Sequence, residues 1–274
     1  MSIAEETVSI QEKNQKLGEY LRELDQAIVA FSAGIDSTFV LARAKEELGD
    51  RVLAVTAASE TFPERELEEA IGLAKKLGVR HEVIQIKEME NPHFVANNPD
   101  RCYHCKAGLY SNLTALAKEK GIPWILDGAN MDDLGDYRPG RKAAKEFEIR
   151  SLLQEAGLYK QELRELARDM GLPNWDKPSF ACLSSRIPYG SIITLDKVEQ
   201  LDRGEAALRQ MGFRQLRIRH HDKIARVEVP PADFPRVLEA AEQIVEILKA
   251  EGFSYVTLDL QGYRTGSMNE AIGK

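Results

Sequence analysis

Four short apolar runs alternate with helical patterns along the first half of the chain, and this alternation restricts the fold more than any other feature. The runs are QAIVAFS (26–32), RVLAVTA (51–57), RHEVIQI (80–86) and WILDGAN (124–130), and the helix predicted before the last run covers residues 105–120. Continuous apolar strands joined through helices by short links are typical of parallel sheets covered by helices. The pattern therefore predicts an α/β fold with a doubly wound parallel sheet.

The second half of the chain has a different pattern. The segment at 172–190 carries three prolines and no helical period. Beyond it the sequence indicates a helix at 195–211, a β-hairpin turning at Asp222-Lys223, a helix at 232–251 and a strand at 253–260. We predict a smaller α+β domain, with domains at 1–182 and 183–274, a size that suits the 274-residue chain.

Charge and hydrophobicity argue against some classes of partner. The formal net charge is −7, whereas binders of duplex DNA or tRNA usually carry a broad basic surface. No apolar run is long enough to span a membrane, and MSIAEETVSIQEKNQ lacks the apolar stretch of a signal peptide. We therefore expect a cytoplasmic protein with neither a nucleic-acid nor a membrane partner.

The segment FSAGIDST (31–38) joins the first predicted strand to a helix through small residues. Backbone N–H groups at a helix N-terminus attract phosphates, and Mg²⁺ would reconcile Asp36 with a pyrophosphate. The Gly-Lys-Ser/Thr ending of a Walker A loop is missing, which favours chemistry at the α-phosphate of ATP. The alternative is a plain strand-to-helix turn. The candidate ATP-binding residues are Ala30, Phe31, Ser32, Gly34, Ile35, Asp36 and Ser37.

Two further residues are expected near this loop. In doubly wound sheets ligands bind at the carboxyl ends of strands. Gly128 in LDGANMDDLGDYRPG (126–140) and Ser59 after the second strand would thus lie close to ATP. The acidic run after Gly128 could equally be a solvated loop.

The chain has three cysteines, of which Cys102 and Cys105 form a Cys-x-x-Cys pair and Cys182 lies in the proline-rich segment. A zinc site would need a fourth ligand such as His104. A redox dithiol would need no third cysteine, and an iron–sulfur cluster on three thiolates would leave one iron open. Three unrelated buried cysteines are the remaining alternative.

Arginines concentrate in the second predicted domain, which suggests a pocket for a substrate phosphate because the guanidinium fork matches phosphate oxygens. Arg217 and Arg219 lie two apart on one strand and share a face. The alternative is an exposed basic strand face. Glu205 and Asp233 could help to hold Mg²⁺ or could face solvent.

The loop at 31–38 resembles the SGGxDS motif of PP-loop ATP pyrophosphatases, with Ala33 where many members have glycine. A positive φ at that position would cost alanine about 1 kcal/mol. The loop at 31–38, together with LDGANMDDLGDYRPG, SSRIPYG and RIRHHDKIARVEVP, makes nearly the whole chain resemble the LarE family. LarE proteins are ATP-dependent sulfurtransferases that act on pyridinium-3,5-biscarboxylic acid mononucleotide, for the nickel-pincer nucleotide cofactor of lactate racemase.

The resemblance implies adenylylation of a substrate carboxylate, loss of pyrophosphate and attack by sulfur from sulfide or another donor, giving a thiocarboxylate. Ser185, Arg186, Arg217 and Arg219 match the substrate-phosphate positions. Members with three cysteines carry a [4Fe-4S] cluster that binds an additional sulfide, which implies Cys102, Cys105 and Cys182 as its ligands. The donor cysteine of single-cysteine members falls on Ala181 here, which favours ligation by Cys182 over sulfur donation. The family also implies a homo-oligomer, in the form of a hexamer.

Three other functions are compatible with parts of the pattern. A tRNA thiolase would show RNA-dependent pyrophosphate release, against the acidic charge of the chain. An ammonia-dependent synthetase, resembling NAD or GMP synthetase, would give the cysteines no role. A non-catalytic ATP-binding iron–sulfur module would turn over no ATP.

Overall fold

The computed structural model describes residues 8–135, 139–179, 181–264 and 266–270. Residues 1–7, part of the N-terminus used to predict the absence of a signal peptide, lie outside this range, as do 136–138 of LDGANMDDLGDYRPG. Within the described part no helix is long and apolar enough to cross a membrane.

The described chain divides into two compact units. The first comprises residues up to Ala58 together with Glu64–Ile86 and Lys106–Lys177. The second comprises Ser59–Pro63, Lys87–Cys105 and the chain from Pro178 onward. The domain boundary after Cys182 stays a prediction, and it differs from this division by assigning 59–63, 87–105 and 178–182 to the first domain.

The first unit contains a four-stranded sheet in the order β3-β2-β1-β4. Its elements are α1 (Ile10–Arg22), β1 (Ala27–Ala30), α2 (Ile35–Leu48), β2 (Val52–Ser59), α3 (Glu64–Lys76), β3 (Arg80–Ile86), β4 (Trp124–Leu126), α6 (Gly140–Glu146), α7 (Leu152–Glu155) and α8 (Lys160–Asp169). β1 pairs in parallel with both β2 and β4, and its first three residues are fully buried in the core. The predicted parallel α/β fold is confirmed.

The second unit is built on a three-stranded mixed sheet in the order β5-β6-β7. Its elements are α4 (Pro92–Val95), α9 (Leu195–Gln210), β5 (Arg217–His221), β6 (Ile224–Glu228), α10 (Phe234–Glu239), α11 (Ala241–Ala250), β7 (Tyr255–Leu258) and α12 (Ser267–Glu270). The predicted hairpin is present, with Asp222 at a φ of 53° in its turn. The smaller α+β domain is confirmed.

Two predicted helices differ from the observed ones. The helix predicted at 105–120 is α5 (Arg101–Lys120), which begins four residues earlier, directly after Pro99-Asp100. Its first five residues belong to the second unit and the remainder to the first. The helix predicted at 232–251 is interrupted at Ala240, whose φ of −97° and ψ of 14° leave the helical range and separate α10 from α11.

The turn after β4 packs directly on the start of α2. A Cβ atom added to Gly128 would lie 2.8 Å from the backbone nitrogen of Ser37 and 3.2 Å from the Cβ of Asp36. Because backbone atoms on both sides are fixed by sheet and helix, neither can move away cheaply. The position therefore requires glycine for close approach.

We predict that Gly128→Ala lowers the free energy of unfolding by about 1–3 kcal/mol, since it overpacks this contact. Urea denaturation measures the change. Gly72→Ala is the matched control, because Gly72 lies within α3 and an added Cβ there would meet no atom within 4 Å. The control should raise stability by up to about 1 kcal/mol, and equal effects of the two variants would contradict the prediction.

Candidate active site

Residues 32–37, here called the SAGIDS loop, connect β1 to α2 and include the first turn of that helix. Hydroxyl groups of the loop itself hold it closed. The backbone N–H of Ser32 donates to Ser37 Oγ at 3.3 Å, and this hydroxyl donates to the carbonyl of Gly34 at 3.1 Å. Thr38 Oγ1 donates to the same carbonyl at 2.9 Å. The loop thereby leads into the N-terminus of a 14-residue helix, where free N–H groups and the helix dipole favour an anion.

Ala33 has a φ of 56°, in the left-handed region that the sequence analysis had considered for this position. The residue is fully buried, and the conformation costs a non-glycine residue about 1–2 kcal/mol. Its carbonyl accepts hydrogen bonds from Asn174 Nδ2 at 3.0 Å and from Lys177 Nζ at 3.4 Å. The proline-rich segment thus contacts the SAGIDS loop within the first unit.

Asp36 lies in the first turn of α2 with its two carboxylate oxygens in different environments. Oδ2 pairs with Lys160 Nζ, whereas Oδ1 is buried without a hydrogen-bond partner in the described part of the chain. The side chain of Asn130 lies near the carboxyl group and acts to lower its pKa. Burial raises the pKa of Asp36, Lys160 opposes that shift, and the nearby Asp133 adds to it. The site is therefore short of positive charge in this state.

Lys160, which the sequence analysis missed, is positioned by the acidic turn after β4. It is the first residue of α8, and its backbone N–H donates to Asp132 Oδ2 at 2.6 Å. The backbone N–H of Met131 donates to the carbonyl of Leu158 at 2.9 Å, which fixes the same two segments together. A lysine at a helix start in the α/β half was the available signal, but nothing local in the sequence relates it to Asp36.

The turn after β4 is held by Asp127, which is buried at its base. Asp127 accepts hydrogen bonds from Tyr110 Oη at 3.0 Å, Ser151 Oγ at 2.8 Å and the backbone N–H of Ala129 at 3.1 Å. This network places Gly128 against the start of α2, as described above. The expectation that this turn and the SAGIDS loop meet agrees with the geometry.

The residues around Asp36 suit a magnesium ion that arrives with a nucleotide. The unpartnered Oδ1 of Asp36 is a hard oxygen ligand, and Asp133 adds negative charge beside it. Within the described ranges no three or more His, Cys, Asp or Glu side chains are grouped to hold a metal. A magnesium ion here would thus take most of its ligands from phosphates and water, as Mg²⁺ commonly does.

Ser59 stands at the end of β2 but belongs to the second unit. Its hydroxyl donates to Glu88 Oε2 at 2.8 Å, and Thr61 Oγ1 donates to the same oxygen at 2.5 Å. The negative charge of Glu88 also acts to raise the pKa of Cys182. An adenosine contact of Ser59 stays a prediction.

The three cysteines lie in the second unit, and none of them forms a disulfide bond within the described part of the chain. Cys102 and Cys105 are three residues apart on α5 and share one helix face, while Cys182 precedes the short 3-10 helix Leu183–Arg186. Cys105 packs against the apolar core of the unit. His104 pairs instead with Asp100 at 3.2 Å and stacks on the His93 ring at 4.7 Å.

Arg101 is a buried cation next to two of these thiols. Its Nη2 lies 3.6 Å from Cys102 Sγ, and its Nη1 donates to Asn97 Oδ1 at 2.9 Å and to the carbonyl of Ser184 at 2.7 Å. Burial raises the pKa of the Cys182 thiol, and Arg101 opposes this rise. The donor chemistry suits a three-thiolate ligand set, although the described thiols are not gathered into one metal-holding group.

Glu205 organises the arginines of the second unit. Its carboxylate accepts from Arg186 Nε at 2.8 Å and Nη2 at 3.0 Å, from Arg209 Nη2 at 3.1 Å and from the backbone N–H of Ile218 at 3.1 Å. Burial alone would raise its pKa, but Arg186 in particular holds the pKa of Glu205 at about 2. Glu205 therefore orders cations in this arrangement, and its magnesium role stays a prediction.

Arg217 and Arg219 differ in how their charges are balanced. Arg219 pairs with Glu228 at 3.0 and 2.9 Å and also donates to the carbonyl of Ser185 at 2.7 Å. Arg217 donates only to the carbonyls of Leu216 and Ser179 and to Tyr263 Oη among the described residues. Burial, and next the charge of Arg186, lowers the pKa of Arg217 to about 10. Arg217 is thus the cation of this group whose charge is least compensated.

Ser185 and Asp233 are the other two residues of the second unit that were predicted to take part in the site. Ser185 Oγ donates to the carbonyl of Cys182 at 2.8 Å and accepts from Arg186 Nη1 at 3.1 Å. Asp233 precedes α10 and meets Arg236 at 3.4 Å. Ser185 therefore lies with the arginines, whereas Asp233 makes a half-exposed local ion pair.

Comparison with known proteins identifies the family. Residues 9–105 match the NAD synthase family. The chain is 42% identical over 93% of its length to the pyridinium-3,5-bisthiocarboxylic acid mononucleotide synthase of Lactiplantibacillus plantarum, covering 92% of that protein. It is also 42% identical over 97% of its length to an uncharacterized protein of Synechocystis, covering all of it. The NH(3)-dependent NAD(+) synthetase of Hyperthermus butylicus is 30% identical over 53% of the chain and 54% of its own length. The chain therefore belongs to the LarE family of enzymes with a PP-loop domain of the NAD synthase type.

Proposed function

We propose that this enzyme uses ATP to convert the carboxylates of pyridinium-3,5-biscarboxylic acid mononucleotide into thiocarboxylates. The observation that carries the proposal is the SAGIDS loop at the start of α2, with the free Oδ1 of Asp36 beside Lys160. Identity of 42% to a pyridinium-3,5-bisthiocarboxylic acid mononucleotide synthase supports the choice of substrate.

The reaction takes two steps at each carboxylate. A carboxylate oxygen attacks the α-phosphorus of ATP, the bond from that phosphorus to the bridging oxygen breaks, and pyrophosphate leaves. Sulfide then attacks the acyl carbon of the adenylate, and AMP leaves with the former carboxylate oxygen. Oxidation states do not change, so neither step needs an oxidant or a reductant.

The chain's own groups bind and orient the triphosphate in the first step. The α2 N-terminus supplies N–H donors without reorganisation. The Ser32 and Ser37 hydroxyls, which bond within the loop in this arrangement, would donate to the triphosphate after rotating. Lys160, which pairs with Asp36 in this arrangement, would supply a cation for a phosphate oxygen of the bound triphosphate. Asp36, with Asp133 nearby, would hold Mg²⁺, which would neutralise charge on the leaving pyrophosphate.

The substrate's own phosphate would bind to the second unit. Arg217 offers a buried guanidinium with no carboxylate partner among the described residues, and such a group favours an anion. Arg219 and Ser185 lie in the same group, where Arg219 donates to the Ser185 carbonyl. Arg186 is fully committed to Glu205 and neighbouring carbonyls, which suggests that it shapes this pocket from behind.

For sulfur supply we propose a [4Fe-4S] cluster held by Cys102, Cys105 and Cys182. Two of these thiols share a face of α5, and Arg101 lies beside Cys102 and Cys182 with no carboxylate among its described partners. A cluster with three thiolate ligands keeps one iron available for sulfide.

Product formation tests the central proposal. With ATP, Mg²⁺, sulfide and the dicarboxylate mononucleotide, the protein should form AMP, pyrophosphate and the thiocarboxylate, detected by mass spectrometry. Asp36→Asn should lower the rate by at least about 100-fold because the metal contact is lost. Its stability should not fall, since burial disfavours the charged form of Asp36. Cleavage of ATP to ADP and orthophosphate alone would refute the scheme.

The arginine assignment predicts a selective effect. Arg217→Met should raise the KM for the mononucleotide by about 10- to 100-fold, since a charged hydrogen-bond donor to phosphate is lost. The KM for ATP should stay within about twofold, as expected for an interaction outside the nucleotide site. Arg203→Met, at a half-exposed surface ion pair of the same unit, serves as the control. A change in the KM for ATP alone would show that the pocket is misassigned.

Iron analysis tests the cluster. Anaerobically reconstituted protein should hold about four irons per chain with absorbance near 400 nm. Cys102→Ser, Cys105→Ser and Cys182→Ser should each lower both values. Iron-free, colourless wild-type protein would refute the cluster. If Cys102→Ser and wild type also formed a product with ammonia equally well, an ammonia-dependent synthetase would replace the sulfur-transfer proposal.

A further inference from the structure

The bend at Ala33 is held from outside the SAGIDS loop by two side chains of one short segment. Asn174 and Lys177 both donate to the Ala33 carbonyl, and both follow α8 in the first unit. We propose that these two side chains are positioning residues that hold the SAGIDS loop in its nucleotide-binding shape, an inference that rests on the proposed ATP binding.

Asn174 links the two ends of the loop through one amide group. Its Nδ2 carries two hydrogens and has two acceptors, the Ala33 carbonyl at 3.0 Å and Thr38 Oγ1 at 2.9 Å. Thr38 passes the contact on by donating to the Gly34 carbonyl. Because Asn174 is only 5% exposed and Thr38 is fully buried, water cannot readily replace these bonds.

Lys177 combines a geometric and an electrostatic role. Its ammonium group has three donors and three acceptors, namely Glu66 Oε2 at 2.8 Å, Glu69 Oε2 at 2.7 Å and the Ala33 carbonyl. Glu66 is buried, with 7% exposed. Without Lys177, Glu66 would keep only its 3.7 Å contact with Arg65, and the partly exposed Glu69 would lose its ammonium partner. The charges of both glutamates on α3 would then repel a polyphosphate at the loop.

The segment that carries both side chains is itself fixed. Arg164 of α8 donates to the carbonyl of Trp175 at 2.8 Å and to that of Lys177 at 2.9 Å. The backbone N–H of Lys177 donates to the Asn174 carbonyl at 3.0 Å. A rigid support of this kind keeps a strained bend formed before the ligand arrives, so binding does not have to order the loop.

A double-mutant cycle between Asn174 and Ala33 tests the geometric role. Asn174→Ala should weaken binding of a non-hydrolysable ATP analogue with Mg²⁺ about tenfold, measured by calorimetry on the full chain. In an Ala33→Gly background the same change should cost less than about threefold, because glycine keeps a positive φ without support. Amide hydrogen exchange of residues 31–38 without nucleotide should rise in Asn174→Ala. Equal losses in both backgrounds, or an unchanged exchange rate, would overturn the proposal.

A charge cycle tests the role of Lys177. Lys177→Met should weaken the same analogue by about tenfold, and Glu66→Gln with Glu69→Gln added should restore most of the affinity. Lys13→Met is the control, since Lys13 pairs at 2.6 Å with Glu162 in the same unit. A failure to restore affinity, or an equal loss in the control, would refute the electrostatic role.

These readouts separate the two proposals. A wild-type protein that binds the analogue but never forms AMP would disprove the proposed function and leave the support of the loop intact. An Asn174→Ala variant that forms AMP normally and keeps its affinity for the analogue would disprove only the proposed support of the SAGIDS loop. Absence of any analogue binding by wild type would overturn both.

Discussion

The tight passage from β1 into α2 is the constraint on which the first unit depends. β1 is an inner strand of the parallel sheet, and α2 is largely buried, so both ends of the loop are fixed before the loop is built. Only four residues join them, and the chain completes the turn by taking Ala33 into the left-handed region. The free N–H groups of α2, the Asp36 carboxylate and the Gly128 turn then converge, because each is attached to an end of the same sheet.

Charge is distributed unevenly in this acidic protein. Although the formal net charge is −7, buried and partly buried cations of the described chain lie at positions where backbone and carboxylates already meet. Lys160 and Lys177 flank the SAGIDS loop in the first unit. In the second unit Glu205 and Glu228 order neighbouring arginines and leave Arg217 with the least compensation. Local positive potential is thus compatible with an acidic whole, and a phosphate can be recognised without a basic surface.

Much of this architecture could be predicted from the sequence. Apolar runs such as QAIVAFS, joined through helices by short links, predicted the parallel sheet, since these signals are local and strong. From the sequence, the cost of a positive φ at Ala33 could be stated but not its occurrence, because alanine carries no local signal for this conformation. The contacts of Lys160 and Asn174 could not be predicted, since Asp36 and Lys160 are 124 positions apart and only the folded chain relates them. The early start of α5 was not predicted. The cysteine pair at its beginning was interpreted as a chemical motif, and its place in a helix was not considered.

The buried pair of Arg186 and Glu205 has a consequence for how such a chain can diverge. Both side chains are 0% exposed. Arg209 and the Ile218 N–H would still contact Glu205 without Arg186, but replacing either member of the pair alone would leave a buried charge undercompensated, at a cost of up to about 3–5 kcal/mol, a large part of a domain's total stability. A change at one position alone is therefore selected against. Joint replacement of both by apolar residues of similar volume leaves no buried charge and is better tolerated. The two positions should behave as a single heritable unit, and proteins that have lost one partner should have lost the other.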